Sequence, residues 1–518
     1  MTLPALALIA AAAAILRLLI GLHLPFDADE AVEGIAAGQI LHGRFVLMES
    51  NAHYLGALDS YVLAPFIAIF GHTIAAIRIG LSSVGAIYVV AMFWLGRLVF
   101  GRDREALVMA LVAAVFPLFA LTYGIKARTY GVLLPLEVLV LALTIRVAWS
   151  RAAIRTRDWV VLGVVAGLSA WQDVLLVIPI GVALLALIAR GSAPEWRPSG
   201  RGIAALAASA AIGFSPWIIY NAQTRLGSLR HLYTPLKTYS IPTLEAAKQV
   251  LAAALPIFVG ARVNFCGPVA LPAPVIDLVL ALLTLSVIWL RRGTLLALAQ
   301  ARFAAIEPVD IVLLVAPLAV LAVTVRFFNS LSCEPRYLMP LAVPLVTVMV
   351  VLLAGPVVLR SLGMVALIGF VLLSALTVQR QVALYDNLVV VPNAPQIRLD
   401  WQAAASTVEN QHAEAIWAQY WLARPLEYVT GDRVVIGEYG GYVGFPDMQT
   451  AALHTAHSSW LFVAGSRDIS AFEKACASRG VTYQRVPLSD GLVLYKDLSD
   501  SLLPSDLGFQ TQSIAQAR

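Results

Sequence analysis

The N-terminal residues already indicate the class of fold. Residues 3–30 read LPALALIAAAAAILRLLIGLHLPFDADE, an apolar run followed at once by three carboxylates within four positions. A membrane-spanning helix needs about 20 apolar residues, so residues 3–24 are long enough to span. A cleaved signal peptide would carry basic residues before the apolar stretch, and none precede it here. We therefore expect a retained first helix that is followed by an acidic segment at the membrane surface.

The composition extends this prediction to the whole chain. Of its 518 residues, 60% are hydrophobic and only 13% are charged, and the mean hydropathy is +0.81. Soluble domains are usually about 25% charged. The low charge excludes a soluble enzyme, a disordered protein and a nucleic-acid binder, and it requires many spans in a lipid bilayer.

Eleven segments have an apolar run of roughly spanning length. They are 3–24, 75–97, 105–123, 130–149, 158–172, 174–190, 202–220, 272–290, 309–327, 337–355 and 361–379. The segment 250–265 is also apolar, but Pro256 and Gly260 favour an interfacial or re-entrant piece. The predicted fold class is an α-helical polytopic membrane protein with about 11 transmembrane helices.

Arginines in alternate loops predict the orientation. The basic loops carry Arg97, Arg102 and Arg104, then Arg151, Arg155 and Arg157, then Arg190, Arg197 and Arg201, then Arg291, Arg292 and Arg302, and finally Arg360. Short basic loops are typically cytoplasmic. The N-terminus is then inside. The loops 25–74, 124–129, 221–271 and 328–336 lie outside, together with everything after about residue 380.

The chain is predicted to have two domains, a transmembrane catalytic module over 1–379 and an extracytoplasmic α/β domain over 380–518. From residue 380 onward there are 10 Lys+Arg and 14 Asp+Glu, and the pattern changes. Residues 433–437, 459–463, 482–486 and 492–495 read as short strands, and 469–479 as an amphipathic helix. Cys476 lies on the apolar side of that helix, and the last residues are predicted to be disordered.

The acidic segment Asp27, Asp29 and Glu30 is the first candidate site. Such a cluster is unfavourable unless it binds a cation, a proton or a basic substrate. Asp29 or Glu30 suits a general base toward an acceptor hydroxyl or amine. Asp27 and Asp29 are spaced to share a divalent metal. The alternative is a solvated acidic cap at a helix N-terminus.

The rest of the first outer loop is too long to be a simple connector. It contains His53, Tyr54 and Asp59, and we expect helices that lie along the membrane face. Asp59 is placed either in the same cleft as Asp29 or at the cap of an interfacial helix, and the two readings are equally open.

Cations in two further outer loops are candidate phosphate ligands. Lys126 and Arg128 precede Tyr130, and Arg336 precedes Tyr337 in a segment stiffened by prolines. Arginine and lysine suit a phosphate diester. The alternatives are lipid-headgroup anchoring, or pairing of Arg336 with Glu334.

Carboxylates within or beside membrane spans are functional candidates by default. Glu137 and Asp173 are in this class, although Asp173 falls at a helix hairpin turn and Glu137 has Arg146 as a potential ion-pair partner. Cys266 and Cys333 both fall in outer loops, where they either form a disulfide or remain free thiols.

These motifs together resemble the GT-C glycosyltransferase superfamily, and most closely the family 39-like bacterial membrane glycosyltransferases. Relatives of that group are the protein O-mannosyltransferases and the aminoarabinose transferase that modifies lipid A. The matching residues, in chain order, are Asp29-Glu30-Ala31-Val32, Gly34, Gly43, Tyr54-Leu55-Gly56, Phe70-Gly71, Arg78, Ala127-Arg128-Thr129-Tyr130, Pro216-Trp217-Ile218, Asn221, Glu334-Pro335-Arg336-Tyr337-Leu338-Met339-Pro340, Tyr420-Trp421-Leu422-Ala423 and Thr430-Gly431-Asp432-Arg433-Val434.

The resemblance implies an inverting transferase that takes a sugar from a polyprenyl phosphate at the outer face of a bacterial inner membrane. The acceptor is a lipid, glycan or protein, and the resemblance makes Asp29 the base with Glu30 beside it. Some relatives carry a second acidic residue where this chain has Lys126 and Arg128. Asp59 or Asp173 is a candidate for that role, and use of a divalent metal is left open.

Two other classes of function fit the sequence. A transporter or flippase of a lipid-linked sugar would use the same carboxylates to bind protons or cations. A non-catalytic member of a larger assembly would have no transfer activity to lose. The sequence has no P-loop and no dinucleotide-binding fingerprint, so a nucleotide as direct substrate is unsupported.

Overall fold

The computed structural model describes most of the chain. The described residues are 2–50, 52–150, 154–191, 196, 198–230, 243–264, 267–300, 302–322, 324, 335–441, 444–455, 457–488 and 491–509. The predicted disulfide between Cys266 and Cys333 lies outside them, as do Glu334 and the tail 510–518.

The chain forms two compact units. The first comprises Met1–Gly21, Tyr54–Gly56 and Leu81–Gln381, and the second comprises Leu22–His53, Ala57–Gly80 and Val382–Arg518. Most of the long first outer loop therefore belongs to the same unit as the C-terminal segment. The division into domains 1–379 and 380–518 remains a prediction, and these units divide the chain differently.

Every predicted span corresponds to helical structure. The helices that correspond to the predicted spans, some of which are broken into two pieces, are Thr2–Gly21, Ile74–Phe100, Asp103–Val115, Leu118–Tyr123, Tyr130–Trp149, Thr156–Gln172, Val177–Gly191, Gly200–Gly213, Ser215–Gln223, Ala273–Leu290, Pro308–Ala322, Ala342–Ala354 and Val357–Tyr385. Among the described residues, seven helical segments are long and apolar enough to cross a membrane, or eight if the bent pair Gly200–Gly213 and Ser215–Gln223 is one span. This agrees with a polytopic helical membrane protein.

Short helices connect these elements in the first unit. They are Thr243–Gln249, the π-helical turn Val250–Ala254, Leu255–Phe258, Arg292–Ala299 and the 3-10 turns Val174–Leu176, Phe303–Ala305 and Arg336–Leu341. Residues 250–258 form two short helical pieces, and the interfacial or re-entrant placement of the segment 250–265 stays a prediction. Gly260 has a φ of 87°, and its carbonyl accepts a hydrogen bond of 2.7 Å from the Thr377 hydroxyl.

The charge of Arg17 inside the first helix has a local explanation. Its guanidinium donates to the carbonyls of Ala113 and Ala114, each at 3.3 Å. Those carbonyls lie at the end of Asp103–Val115, where a helix leaves carbonyls without helical partners. Gly85 makes room for the guanidinium stem, since an added Cβ would lie 2.3 Å from Cδ of Arg17.

Glycines allow two helices of the first unit to approach closely. An added Cβ on Gly163 would lie 2.0 Å from the Ser209 Oγ, and one on Gly167 would lie 2.2 Å from the Ala210 carbonyl oxygen. Small residues that let backbones approach are typical of helix contacts in membranes. Nearby, Arg146 pairs with Asp158 at 3.2 Å. Neither carboxylate oxygen of Glu137 has a hydrogen-bond partner among the described residues, so the suggested pairing of Glu137 with Arg146 is wrong.

The second unit contains a five-stranded mixed sheet and a separate two-stranded ribbon. The ribbon pairs β1 (Leu388–Val389) with β2 (Ile397–Arg398), and the strands of the sheet are β3 (Ala415–Gln419), β4 (Val435–Tyr439), β5 (Ser458–Val463), β6 (Gln484–Pro487) and β7 (Leu492–Lys496). Their order in the sheet is β4-β3-β5-β7-β6. β3 pairs in parallel with β4 and β5, whereas β7 runs antiparallel to β5 and β6. The predicted α/β domain is confirmed.

The second unit also contains helices, two of which are formed by the first outer loop. They are Ala28–Leu41, Leu58–Phe70, Trp401–Glu409, Tyr420–Thr430, Pro446–His454, Arg467–Arg479 and the 3-10 turn Pro504–Leu507. Cys476 is buried with Trp417, Trp460 and Phe472 in one apolar cluster, as its helical position predicted.

Candidate functional site

The helix Ala28–Leu41, called the carboxylate helix below, begins at the acidic segment. Asp27 is its N-cap, with an extended backbone, and its carboxylate accepts a 3.2 Å hydrogen bond from the Glu30 N–H. Aspartate is among the preferred N-cap residues because it satisfies a backbone donor that the helix cannot. The alternative prediction, an acidic cap at a helix N-terminus, is therefore confirmed for Asp27.

Glu30 is held by a buried ion pair. The Arg78 guanidinium donates through Nη1 and Nη2 to both carboxylate oxygens of Glu30, and both side chains are fully buried. Nη2 of Arg78 also approaches the Pro25 carbonyl at 3.3 Å. A buried carboxylate needs such a partner because it has lost its hydration. The pair fastens the first turn of the carboxylate helix to the start of Ile74–Phe100.

Asp29 has a different environment from its neighbours. It is only partly buried, and its Oδ1 accepts a 3.0 Å hydrogen bond from the Tyr420 hydroxyl. Burial, followed by the charge of Asp29, raises the pKa of Tyr420 well above its usual value. The phenol therefore keeps its proton at neutral pH and acts as the donor.

Further along the carboxylate helix, Glu33 lies in a second acidic group. Glu33 and Asp59 are fully buried and Glu49 is 7% exposed. Burial and then the charges of Glu49 and Asp59 raise the pKa of Glu33 well above its usual value, while the Ser60 hydroxyl donates to its carboxylate. The structure thus places Asp59 beside Glu33.

The predicted cations of the second outer loop lie in the first unit. Lys126 is 3% exposed, and Arg128 is partly buried. The Arg128 guanidinium donates to the Tyr123 hydroxyl at 3.2 Å, and the rings of Tyr123 and Tyr130 lie 5.2 Å apart. The hydrogen bond to Tyr123 thus holds Arg128 in a turn whose residues are mostly buried.

Thr129 connects this turn to Asp173. The Thr129 hydroxyl donates to Asp173 Oδ2 at 3.0 Å, and the Leu175 N–H donates to Oδ1 at 2.8 Å. Thr129 has a φ of 67°, which is unusual for a β-branched residue and is typical of functional sites. The Arg336 guanidinium lies 5.0 Å from the Tyr337 ring centroid.

The remaining candidates have simpler surroundings. His53 and Tyr54 are both partly buried. Gly56, just after Tyr54, donates its N–H to the Gln172 carbonyl at 2.9 Å. Within the described part of the chain, no group of three or more His, Cys, Asp or Glu side chains could hold a metal ion. The metal role suggested for Asp27 and Asp29 stays a prediction.

Two functional contacts could not be predicted from the sequence. Arg78 and Tyr420 belong to the motifs that carry the resemblance, but their partners are 48 and 391 residues away. Local spacing contains no information about such pairs. The position of Arg78 just inside an apolar segment was the one sequence feature that indicated a buried ionic partner.

Comparisons with known proteins show what the chain is similar to. Residues 57–220 match the family model described as dolichyl-phosphate-mannose-protein mannosyltransferase. That region includes Asp59, Lys126, Arg128 and Asp173, but not Asp29. The comparison with curated proteins found no match.

Two solved structures are similar over nearly their whole length. One is ArnT from Cupriavidus metallidurans bound to undecaprenyl phosphate, with a TM-score of 0.59 and 12% identity over 95% of this chain and 98% of that chain. The other is the apo state of the same protein, with a TM-score of 0.57 and 13% identity over 94% and 97%. The chain therefore has the same fold as these two ArnT structures, and its residues 57–220 are similar to the mannosyltransferase family model.

Proposed function

We propose that this protein is an inverting glycosyltransferase of the bacterial inner membrane. It transfers a sugar from a polyprenyl phosphate to a lipid, glycan or protein acceptor on the outer face, where the C-terminal domain also lies. The solved relative that binds undecaprenyl phosphate supports the class of donor. The arginine-rich alternate loops support the orientation.

The different environments of Asp29 and Glu30 carry this proposal. Glu30 is fully buried against Arg78, so its carboxylate is committed to an ion pair. Asp29 is partly exposed and oriented by a phenol. A general base must reach the proton that it removes, and it must be held in a defined orientation. Asp29 meets both requirements, and Glu30 serves to fix the helix on which Asp29 lies.

The reaction requires a base and a cationic environment for the leaving group. The acceptor oxygen or nitrogen gives its proton to Asp29 and forms a bond to the anomeric carbon. The bond from that carbon to the phosphate oxygen breaks, and the polyprenyl phosphate leaves with the electron pair. Lys126, Arg128 and Arg336 are the cations that we assign to the leaving phosphate, because fixed positive charge stabilises charge that develops in the transition state.

The test uses purified protein, a membrane extract as the source of acceptor, and a panel of radiolabelled polyprenyl-phosphate sugars. We expect wild type to release sugar from one donor and Asp29→Asn to lose at least 100-fold of that rate, since general bases contribute about 10²–10⁴-fold. Asp447→Asn is the matched control, because Asp447 forms a solvent-exposed pair with Arg44. A parallel series with EDTA tests the metal role of Asp27 and Asp29.

Three outcomes would contradict the proposal. Full activity of Asp29→Asn would remove Asp29 as the base. Transport of an intact donor across vesicles, without release of sugar, would favour the flippase. Absence of both activities, with every donor and with membrane extracts as the acceptor source, would favour a non-catalytic role.

A further inference from the structure

The helix Tyr420–Thr430, called the tyrosine helix below, contacts the carboxylate helix at two points. Tyr420 at its first position donates to Asp29 Oδ1 at 3.0 Å. Tyr428 packs on Gly34, where an added Cβ would lie 2.5 Å from Cε2 of the ring. The Tyr428 hydroxyl also donates to the Thr73 carbonyl at 2.9 Å. The C-terminal segment of the chain is therefore fitted closely to the helix that carries Asp29.

The Tyr420 side chain is held in one orientation. The side chain of Gln419 caps the tyrosine helix by accepting a 2.7 Å hydrogen bond from the Trp421 N–H. The Trp421 ring stands edge-on to the Tyr420 ring at 5.3 Å. Gly441 leaves no room for a side chain, because an added Cβ would lie 2.5–2.6 Å from Cγ, Cβ and Cδ2 of Tyr420.

Buried charges fix the tyrosine helix itself. The Arg424 guanidinium donates to the carboxylates of Glu427 and Glu438, and all three side chains are buried. Glu438 lies on β4, so this network connects the tyrosine helix to the sheet. These ion pairs tie the helix that begins with Tyr420 to β4, so the backbone that carries Tyr420 is supported by the sheet.

We propose that Tyr420 is a positioning residue for Asp29, and that the C-terminal domain supplies it in order to orient the base. This inference rests on the proposed function. The hydroxyl holds the Asp29 carboxylate in the orientation that accepts the proton of the acceptor. Because the phenol acts through the base in the chemical step, we expect its loss to lower kcat and to leave the donor KM unchanged.

The test compares Tyr420→Phe with a matched variant in the same domain. The Tyr495 hydroxyl donates to the Glu473 carboxylate at 2.9 Å, so Tyr495→Phe removes the same type of hydrogen bond away from Asp29. A hydrogen bond to a charged group contributes enough for an effect of about 10-fold or more. We expect Tyr420→Phe to lower kcat by about that factor with unchanged KM, and Tyr495→Phe to leave both constants unchanged.

A second variant tests the same geometry without removing the hydroxyl. Gly441→Ala should displace the ring, because the added Cβ would overlap it, and should reproduce the fall in kcat with unchanged KM. Wild-type kcat in Tyr420→Phe, or an equal fall in Tyr495→Phe, would overturn the inference. Failure of the proposed function is a separate result, since wild type would then release no sugar or Asp29→Asn would retain full activity.

Discussion

The ion pair between Arg78 and Glu30 gives the sharpest prediction about stability. Both side chains are 0% exposed, and two guanidinium nitrogens donate to the two carboxylate oxygens. Arg78→Met keeps most of the apolar stem but leaves the Glu30 carboxylate buried without its cation. Breaking a buried pair from one side usually costs about 3–5 kcal/mol. We expect a loss of that size for this single substitution.

The double variant provides the control. Replacing both members of a buried pair with apolar residues is often neutral, because the desolvation penalty disappears together with the attraction. Arg78→Met combined with Glu30→Leu should therefore recover most of the stability that Arg78→Met loses. Arg78 also lies 6.0 Å from the Phe26 ring centroid, and this contact with the ring is lost in both variants and cancels in the comparison.

The measurement is the apparent Tm of purified protein in detergent at fixed scan rate, since membrane proteins of this size often unfold irreversibly. For a unit of 150–250 residues, 1 kcal/mol corresponds to about 2–4 °C. The single variant should therefore lose roughly 6–20 °C, and the double variant only a few degrees. Equal losses in both variants, or no loss in Arg78→Met, would refute the argument that the pair is buried and coupled.

Two further predictions concern Glu33 and a glycine contact. Because the pKa of Glu33 is raised in the folded protein, its carboxyl group keeps its proton there at pH values above about 4.5, where the unfolded chain has already released it. The Glu33 contribution to the free energy of unfolding therefore falls with increasing pH. Glu33→Gln should flatten that decrease in apparent Tm, whereas an equally steep decrease in the variant would exclude Glu33 as its source. Gly167→Ala should lower the apparent Tm, because its Cβ would meet the Ala210 carbonyl at 2.2 Å, while Gly181→Ala, which meets nothing within 4 Å, should not. Equal Tm values for the two alanine variants would contradict the close approach of these helices.

Hydropathy predicted the membrane helices well because lipid imposes a strong requirement on every span. It did not predict the break before Leu118, where Pro117 cannot continue the helix Asp103–Val115. In the C-terminal domain, strands with clear apolar runs were predicted, but β3 was missed. β3 reads AIWAQ and is fully buried, and such a short run next to polar residues has no distinctive period.

The acidic segment shows why the site could be predicted only in part. Successive residues of a helix point about 100° apart, so neighbouring carboxylates must enter different environments. Asp27 lies before the first turn and caps it, Glu30 faces the interior and meets Arg78, and Asp29 faces Tyr420. The sequence marks the cluster, but the direction of each side chain depends on where the helix begins and on partners far along the chain. Because two of the three carboxylates have structural roles, the remaining one, Asp29, is the group best placed to act as the base.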